Sequence, residues 1–568
     1  MAFIQARTSR GKKYWSIVEC RRVNGKPRTF ILEYLGTASS LLKRLQEGIS
    51  LKSYSHGDTM ALLNAASELD IINIINKYIP VNKKNIKPKR DGLTVGGTFL
   101  LGAIGRACRP TSKLGWYDWC KETSLEYCLQ QGSLKKLDSQ HFWDQMEALP
   151  SEAISKIEEE IVSKLLKKEK IGLNCLFFDT TNFFTFIDSS NDNCDIPRRG
   201  RNKQKRYDLR QIGMALLVSK EDQFPLYHQT YRGNKNDVTV FKEISQKLLR
   251  RLQQITKELA DVTLVFDKGN NSKENFAQLD KSDHCYYVAG LVSSYFKDLI
   301  KEANQNFSEI KIEDERLPAY RIKKTVWGQE RTCVITVSKQ LKEGQIQGIL
   351  QHLDKKYQIL HKLKTQLENP KSRKKFTKTE IIERLQNIIH GQFIEEILKY
   401  EIFDFDKDKF SFTYFIDYEA FNKLKDEVLG RQIVVTNRHD WGSEEILLAY
   451  RGQSKVEYAF RNLKNPYHMA IRPQYHWTDQ KIEAHFLMCM IGYLLTVYIY
   501  KKVKKYYSKN IINFMNELRA IRLACVIRKN NKVSYQLEKI YPPWQRIAKI
   551  LNITNENIRP KFNFSDYI

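Results

Sequence analysis

Two aspartates, Asp179 and Asp267, each follow an apolar run that predicts a buried strand, GLNCLFFD and DVTLVFD. A carboxylate at a strand end points into the crevice at the edge of an α/β sheet, where ligands usually bind. Two neighbouring carboxylates repel each other unless a cation lies between them, and Mg²⁺ prefers oxygen ligands and keeps positions open for phosphate. Two such ions, about 3.5–4 Å apart, activate an attacking oxygen and stabilise the leaving oxygen. Each aspartate taken alone is equally typical of a turn at a strand end.

A third carboxylate, Glu457, lies on a predicted helix. Apolar residues recur at i, i+4 and i+7 from Val456, and Glu457, Arg461 and Lys464 form a neighbouring stripe. Spacing alone favours a solvent-exposed ladder of ion pairs, each worth only about 0.3–0.5 kcal/mol. The same stripe also offers a carboxylate and two cations to a phosphate.

The elements around the aspartates predict a mixed α/β domain. Strands are expected at RQIGMALLVS, PLYHQTYRG and HCYYVAGL, and an amphipathic helix at NDVTVFKEISQKLLRRLQQI. Charged helices between about 339 and 400 interrupt this pattern and predict an insertion into the sheet domain.

The chain is therefore expected to comprise six regions. They are an N-terminal β-hairpin region (1–50), a helical DNA-binding region (51–165), the first part of the catalytic core (166–290), an insertion (291–430), the second part of the core with the Glu457 helix (431–510) and a C-terminal helical region (511–568).

The charge balance favours a polyanionic partner. Lys and Arg outnumber Asp and Glu by 94 to 65, a net charge of +29, and the excess is spread along the chain. Each basic side chain that meets a phosphate releases counterions, so nucleic acid is a better fit than a membrane surface. The most apolar stretch, 486–500, has 15 residues, short of the roughly 20 that span a bilayer, and predicts a buried core helix. The ten cysteines contain no CxxC pair, which favours reduced thiols over a zinc site.

The segment Tyr450-x2-Gln453-x3-Glu457-x6-Lys464 resembles the Tyr-Arg-Glu-Lys signature of bacterial insertion-sequence transposases, whose DDE catalytic domain is ribonuclease-H-like. One position departs, because Gln453 stands where the signature has Arg. Further similar pieces follow in consistent order between residues 2 and 485. They include YWSIVECRRVNGKPRTFILEYLG, FFDTTNFF, YDLRQIGMALLVS, YRGNKNDVTVF, TLVFDKGNNSKENF and EYAFRNLKNPYHMAIRPQYHWTDQKIEAH.

This resemblance implies a DNA transposase that cuts the ends of a mobile element and joins them to target DNA. It implies that Asp179, Asp267 and Glu457 bind two Mg²⁺ ions, with Mn²⁺ as a substitute, and that Tyr450 and Lys464 contact DNA phosphate. Arg451, Lys455 or Arg461 could supply the positive charge that is missing at Gln453, and the sequence does not distinguish among them. The fold implied is α/β, a ribonuclease-H-like core interrupted by an insertion, with an N-terminal β-hairpin and a helical DNA-binding region.

The partners implied are double-stranded DNA, as terminal repeats and as target, and a second copy in a homodimer. The location implied is the nucleoid in a prokaryotic cytoplasm. No ATP is expected, since the chain has no GxxxxGK loop and no GxGxxG after a strand.

Other motifs carry competing interpretations. The basic loop 198–206 suits DNA phosphates. Trp327 suits either stacking on an unpaired base or, more often, a protein core. His468, His476 and His485 have no standard zinc spacing and are expected in the core or at the surface.

Two alternatives to a transposase remain open. One is a metal-dependent DNA nuclease that cleaves without joining, and strand-transfer products distinguish it. The other is a catalytically inactive DNA-binding protein derived from a transposase; the intact set of three acids argues against it, and Gln453 keeps it open.

Overall fold

In a computed structural model of the chain, the described residues are 2–23, 26–46, 50–80, 93–125, 134, 137–202, 204–255, 262–281, 285–369, 376–406, 409–472, 475–527 and 533–558. They divide into two compact units. The first comprises Met1–Ile161, Leu463–Ile471 and Gln480–Ile568, and the second comprises Val162–Asn462 and Arg472–Asp479. Three sequence-based predictions lie wholly or mostly outside the described residues. They are a basic, solvated linker at 82–90, the turn of the N-terminal hairpin at Asn24-Gly25, and a charged, solvated loop at 371–378.

The first unit contains two small antiparallel sheets. One joins β1 (Ala2–Ser9), β2 (Lys12–Val23) and β3 (Lys26–Gly36), so the predicted hairpin gains a strand. The sequence gives no sign of β1 because its side chains are almost all exposed and show no apolar alternation. The other sheet has the order β17-β16-β4, formed by β4 (Ser50–Ser55), β16 (Arg522–Ile527) and β17 (Val533–Leu537). The region 511–568, expected to be helical, therefore contains two strands, because RLACVI pairs with a distant segment.

Helices make up most of the rest of the first unit. They are α1 (Ala38–Gln46), α2 (Gly57–Glu68), α3 (Ile71–Lys77), α4 (Val95–Cys108), α5 (Trp116–Cys120), α6 (Ser139–Ala148), α7 (Ser151–Lys168, which continues into the second unit), α17 (Asp479–Val503), α18 (Ile511–Leu518) and α19 (Pro542–Ile550).

Helix α17 forms the centre of the first unit. It is apolar on every side, as expected of a fully buried helix. By length and composition it passes as a membrane span, and 94% of its most apolar window is buried inside the protein. Glycines permit its close packing against α4, since a Cβ at Gly102 would overlap Met488 and one at Gly492 would lie 2.8 Å from the carbonyl oxygen of Ala103. The predicted core helix is confirmed and extends beyond the apolar stretch at both ends.

The second unit is built on a nine-stranded mixed sheet of order β10-β11-β12-β15-β9-β8-β5-β6-β7. Its strands are β5 (Cys175–Phe184), β6 (Gln211–Ser219), β7 (Pro225–Arg232), β8 (Val262–Phe266), β9 (Cys285–Leu291), β10 (Ser308–Ile312), β11 (Glu315–Val326), β12 (Gln329–Val337) and β15 (Arg431–Thr436). β5, β6 and β7 form an antiparallel meander, whereas β5, β8 and β9 are parallel. The mixed α/β class predicted from the sequence is therefore present.

Helices connect and cover these strands. Helix α8 (Asp237–Ile255) links β7 to β8, and α9 (Lys273–Asp280) links β8 to β9. The side-chain oxygen of Ser272 accepts a hydrogen bond from Asn275 N (3.1 Å) and starts α9. Every residue of β6 is buried, as expected of a strand covered on both faces. The remaining helices outside the insertion are α10 (Lys297–Asn306), α15 (Ser443–Arg451) and α16 (Ser454–Lys464).

The predicted insertion 291–430 contains a part that extends the large sheet and a part that leaves it. β10, β11 and β12 belong to the large sheet, so the chain leaves the sheet only after Val337 and returns at Arg431. Between these points lie α11 (Lys339–Glu368), α12 (Lys378–Ile389), α13 (Ile394–Ile397), the hairpin β13 (Leu398–Asp406) and β14 (Lys409–Ile416), and α14 (Tyr418–Glu427). They share a core of their own that includes Leu360, Leu385 and Phe412.

Candidate functional site

The parallel pairing of β5 with β8 aligns the two aspartates. The last paired residues are Phe178 and Phe266, so Asp179 and Asp267 follow at facing positions on neighbouring strands. Neighbouring strands lie about 4.8 Å apart, and facing side chains point to the same side of the sheet. Asp267 leaves β8 in extended conformation and leads into a single 3₁₀ turn at Lys268–Asn270.

Asp179 does not end its strand as predicted. β5 continues to Phe184 because its other edge stays paired with β6, where Asp179 faces Leu216. Only the pairing with β8 stops at this point. Asp179 therefore lies within β5, level with the C-terminal end of the shorter neighbouring strand β8.

Negative charge gathers around Asp179. Its Oδ1 accepts a hydrogen bond from Thr180 N at 2.7 Å. Burial, followed by the charges of Asp267, Asp237 and Glu457, raises the pKa of Asp179 to about 7. Glu457 is thus close enough to Asp179 to act on its charge, and the three carboxylates singled out in the sequence lie in one neighbourhood.

A fourth carboxylate, Asp237, joins this group and was not singled out from the sequence. It is the first residue of α8, and its Oδ1 accepts a hydrogen bond from Thr180 Oγ1 at 2.6 Å. A Cβ on Gly269 would lie 3.3 Å from Asp237 Oδ2, so the carboxylate also borders the turn that follows Asp267. An acid in the first turn of an amphipathic helix is ordinarily a partner for the helix dipole, and nothing in the local sequence distinguishes it.

Tyr450 touches Asp267 directly. Its hydroxyl donates to Asp267 Oδ1 at 2.9 Å, and burial together with the Asp267 charge raises the pKa of Tyr450. A Cβ on Gly290 would overlap this hydroxyl, so the glycine of β9 makes room for it. The hydroxyl expected to contact DNA phosphate is therefore held on a carboxylate.

Helix α16 carries Glu457 on an exposed stripe beside its buried apolar stripe. Val456 and Phe460 are buried, whereas Glu457 and Arg461 are exposed. The guanidinium of Arg461 lies 5.9 Å from the ring centre of Tyr458. The predicted pattern of a buried apolar stripe beside an exposed stripe with Glu457 and Arg461 is therefore present.

The remaining DNA-contact candidates differ in setting. Arg451 ends α15 and pairs with Glu315 at 3.0 Å. Lys455 is half-buried, and its charge acts on Cys175. Lys464 is the last residue of α16 and belongs to the first unit. Gln453 is buried, and its Nε2 has no hydrogen-bond partner within the described part of the chain.

The acids suit a hard divalent cation by donor type. Within the described ranges, no three His, Cys, Asp or Glu side chains are close enough as they stand to hold a metal ion. The available donors are carboxylate oxygens, which Mg²⁺ and Mn²⁺ prefer. Burial and, after it, repulsion from the neighbouring carboxylates raise the pKa of Asp179, and a cation between the carboxylates would remove that repulsion. The residues therefore fit such an ion by the chemistry of their donors.

The histidines, cysteines and Trp327 that the sequence analysis considered each have their own surroundings. His468 and His485 are buried in the first unit, against the carbonyl oxygens of Ala107 and Ile471. All the described cysteines except Cys20 are buried, and each is a free thiol. Trp327 is half-buried and packs edge-on against Phe276, with ring centres 4.9 Å apart.

The basic loop 198–206 follows β5, beyond the edge where Asp179 lies. Arg198 pairs with Asp195 and Arg206 with Asp208, so part of its charge is neutralised locally. Main-chain nitrogens of Asp195 and Ile196 donate to the Asp479 carboxylate and anchor the start of the loop.

Comparison with known proteins gives little. No protein-family model matches the chain, and a search of curated proteins found no match. Among solved structures, the chain is similar to one described as a cryo-EM structure of piggyBac transposase synaptic complex with hairpin DNA. The identity is 9% and the TM-score 0.38, over 81% of this chain and 79% of that one. A TM-score this low carries no argument about fold or function.

Proposed function

We propose that the protein is a DDE-type DNA transposase with a ribonuclease-H-like core, of the insertion-sequence group with the Tyr-Arg-Glu-Lys signature. The observation that carries the proposal is the facing position of Asp179 and Asp267 on adjacent parallel strands, with Glu457 near enough to act on Asp179. The order β7-β6-β5-β8-β9, a meander followed by two parallel strands, fits a ribonuclease-H-like core.

The proposed residue roles follow from the contacts. Asp179, Asp267 and Glu457 would hold Mg²⁺ or Mn²⁺, which when bound activates the attacking oxygen and stabilises the leaving one. Tyr450 holds Asp267 in place, and Asp237 holds Thr180 beside Asp179.

The proposed reaction is phosphoryl transfer in two steps. Water attacks the phosphodiester at the element end and releases a 3′-hydroxyl, and that hydroxyl then attacks target DNA in line. The net charge of +29 supports a DNA partner. Two ends must be paired, so we propose a homodimer acting at the prokaryotic nucleoid.

The test uses purified protein, Mg²⁺ and a DNA fragment with the inverted repeats that flank its own gene, with a second DNA as target. Asp179→Asn, Asp267→Asn and Glu457→Gln are each expected to abolish cleavage and joining while DNA binding survives. Glu330→Gln is a matched control, because this acid is exposed on the same sheet and pairs with the exposed Lys323 at 3.7 Å.

Three results would contradict the proposal. Cleavage without joined products would indicate a nuclease. Binding without cleavage in either Mg²⁺ or Mn²⁺ would indicate an inactive DNA-binding relative. Full activity in the three acid variants would remove the assigned site altogether.

A further inference from the structure

Three large aromatic side chains lie exposed in the second unit, beyond the end of β5. Phe186 is 56% exposed, Tyr475 60% and Trp477 59%. The rings of Phe186 and Tyr475 are stacked, with centres 5.9 Å apart and planes inclined by 23°. Asn191 Nδ2 donates to the main-chain oxygen of Trp477 at 3.1 Å, which fixes the segment that carries Trp477 to the loop after β5. We call these three side chains the aromatic platform.

Flat aromatic faces in water are costly to leave uncovered, and nucleobases stack on them regardless of sequence. Elsewhere in this unit, aromatic rings meet each other in the interior, as Phe178 and Phe241 do. The platform instead pairs two rings at the surface and leaves more than half of each exposed.

Cations border the platform through the same loop. Arg210 donates to the main-chain oxygen of Ser189 at 2.6 Å and to that of Asn191 at 3.1 Å. Arg199 donates to Ser189 Oγ at 3.0 Å. Both guanidinium groups are thus held by neutral oxygens, next to the residues that hold Trp477.

Acidic residues of the loop offset only part of this positive charge. Asp195 and Asp208 pair with Arg198 and Arg206, whereas Asp188 accepts from Ser190 within its own turn and lies near Arg210. Segment 185–210 has seven Lys or Arg and four Asp, a net charge of +3.

We propose that the aromatic platform, with Arg199 and Arg210 beside it, binds single-stranded DNA by stacking unpaired bases on the exposed rings. The combination of a basic border and adjacent aromatic faces is what single-strand binding requires, since the cations track the backbone and the rings take the bases. This goes beyond the proposed phosphoryl transfer, and its test needs no cleavage.

The platform lies at a distance from the carboxylates. Five residue-to-residue steps along β5 lead from Asp179 to Phe184, a span of roughly 17 Å at the rise of a strand. That corresponds to about five base steps of duplex DNA at 3.4 Å each. The unpaired bases are therefore expected several nucleotides from the phosphate that reacts.

The test measures binding of a fluorescein-labelled 20-nucleotide oligo-dT and of a duplex of equal length to the full chain, in EDTA. Phe186→Ala, Tyr475→Ala and Trp477→Ala are each expected to weaken single-strand binding by about 5- to 150-fold, the equivalent of ~1–3 kcal/mol per stacked base. Duplex binding should change less than about twofold.

Ring-preserving variants separate stacking from folding. Tyr475→Phe and Trp477→Phe should keep close to wild-type single-strand affinity. The matched control is Tyr295→Ala, which removes a ring that is 79% exposed elsewhere in the same unit, and it should bind as wild type does. Arg199→Gln should weaken the binding of both DNA forms. It should also reduce the magnitude of the slope of log K against log salt concentration by about 1, as expected for the loss of one phosphate contact.

Two outcomes would overturn the proposal. Alanine variants that bind the oligonucleotide as wild type does would show that bases do not stack there. A change in molar mass by light scattering in the alanine variants would show that the rings pack against a second copy. If the wild-type chain binds the oligonucleotide at the platform but cleaves no DNA, the result would count against the proposed function alone.

Discussion

Replacing Tyr450 with phenylalanine removes the hydroxyl that donates to Asp267 and leaves the ring in place. The hydroxyl lies 2.9 Å from Asp267 Oδ1 in a half-buried setting. Burial and the Asp267 charge raise its pKa, so it stays a donor at neutral pH. Without it, Asp267 has lost a fixed partner and is free to turn away from Asp179.

The size of the effect follows from the type of hydrogen bond. A net contribution of about 1.5–3 kcal/mol is typical when the acceptor is charged, which is about 10- to 150-fold in an equilibrium. Loss of a group that orients a metal-binding carboxylate typically costs about 10–100-fold in metal affinity or activity. We expect Tyr450→Phe to lower cleavage at limiting Mg²⁺ by about 10–100-fold, with partial recovery at high Mg²⁺ or in Mn²⁺.

The assay separates two roles for Tyr450. Cleavage of a fragment with the terminal repeats is measured across a Mg²⁺ series, and DNA affinity is measured without metal. Unchanged DNA affinity with a shifted Mg²⁺ dependence supports the contact with Asp267. Weaker DNA binding with an unchanged Mg²⁺ dependence would refute this reasoning and return Tyr450 to the phosphate contact inferred from the signature.

Gly290 offers an independent route to the same contact. A Cβ there would overlap the Tyr450 hydroxyl, so Gly290→Ala should displace it and shift the Mg²⁺ dependence in the same direction. Because both changes act on one hydrogen bond, the double variant should lose less than the sum of the single losses. Additive losses would mean that Gly290→Ala acts elsewhere.

Three further predictions concern charge and burial. Asp237→Asn should lower cleavage at most about tenfold and Asp237→Ala by more, because the amide oxygen of Asn still accepts from Thr180 Oγ1, and equal activities would refute this role. Burial lowers the pKa of His56 to about 4, whereas in the unfolded chain its pKa is near 6.5, so the unfolded chain binds the proton more readily. The stabilisation is therefore present above pH 6.5 and is lost as the pH falls below it, by about 2 kcal/mol at pH 5. The urea midpoint should fall less between pH 7.5 and pH 5 in His56→Gln than in wild type. Asp280→Ala leaves Arg331, 1% exposed, without its carboxylate and should cost about 3–5 kcal/mol, whereas the exposed acid change Glu330→Gln should leave the urea midpoint almost unchanged.

Much of the secondary structure of the second unit could be predicted from the spacing of apolar residues in the sequence. The amphipathic spacing of α8 and the apolar runs of β6 and β8 are visible in the sequence because burial on one side or both leaves a pattern over successive residues. The strand β5 is a partial exception. Its apolar run ends at Asp179, but its pairing with β6 carries it on through polar residues.

Contacts between distant residues could not be predicted in this way. Asp237 meets Thr180 across 57 positions, and Tyr450 meets Asp267 across 183. Neither contact leaves a local pattern, since a helix-initial acid and a helical tyrosine are ordinary in both settings. The strand pattern of β12 likewise does not reveal that β15, almost a hundred residues later, is its partner.

The entry and exit of the insertion are neighbours in space. Val337 and Arg431 face each other as β12 and β15 pair, and Ser338 N donates to the carbonyl oxygen of Gly430 at 2.8 Å. A two-residue turn spans such a gap, so the sheet would remain continuous if the intervening chain were replaced by a hairpin. With its own core, the excised segment has the means to fold by itself. The segment is therefore a cassette, which evolution or protein engineering can exchange without changing the strand order of the sheet that holds the acids.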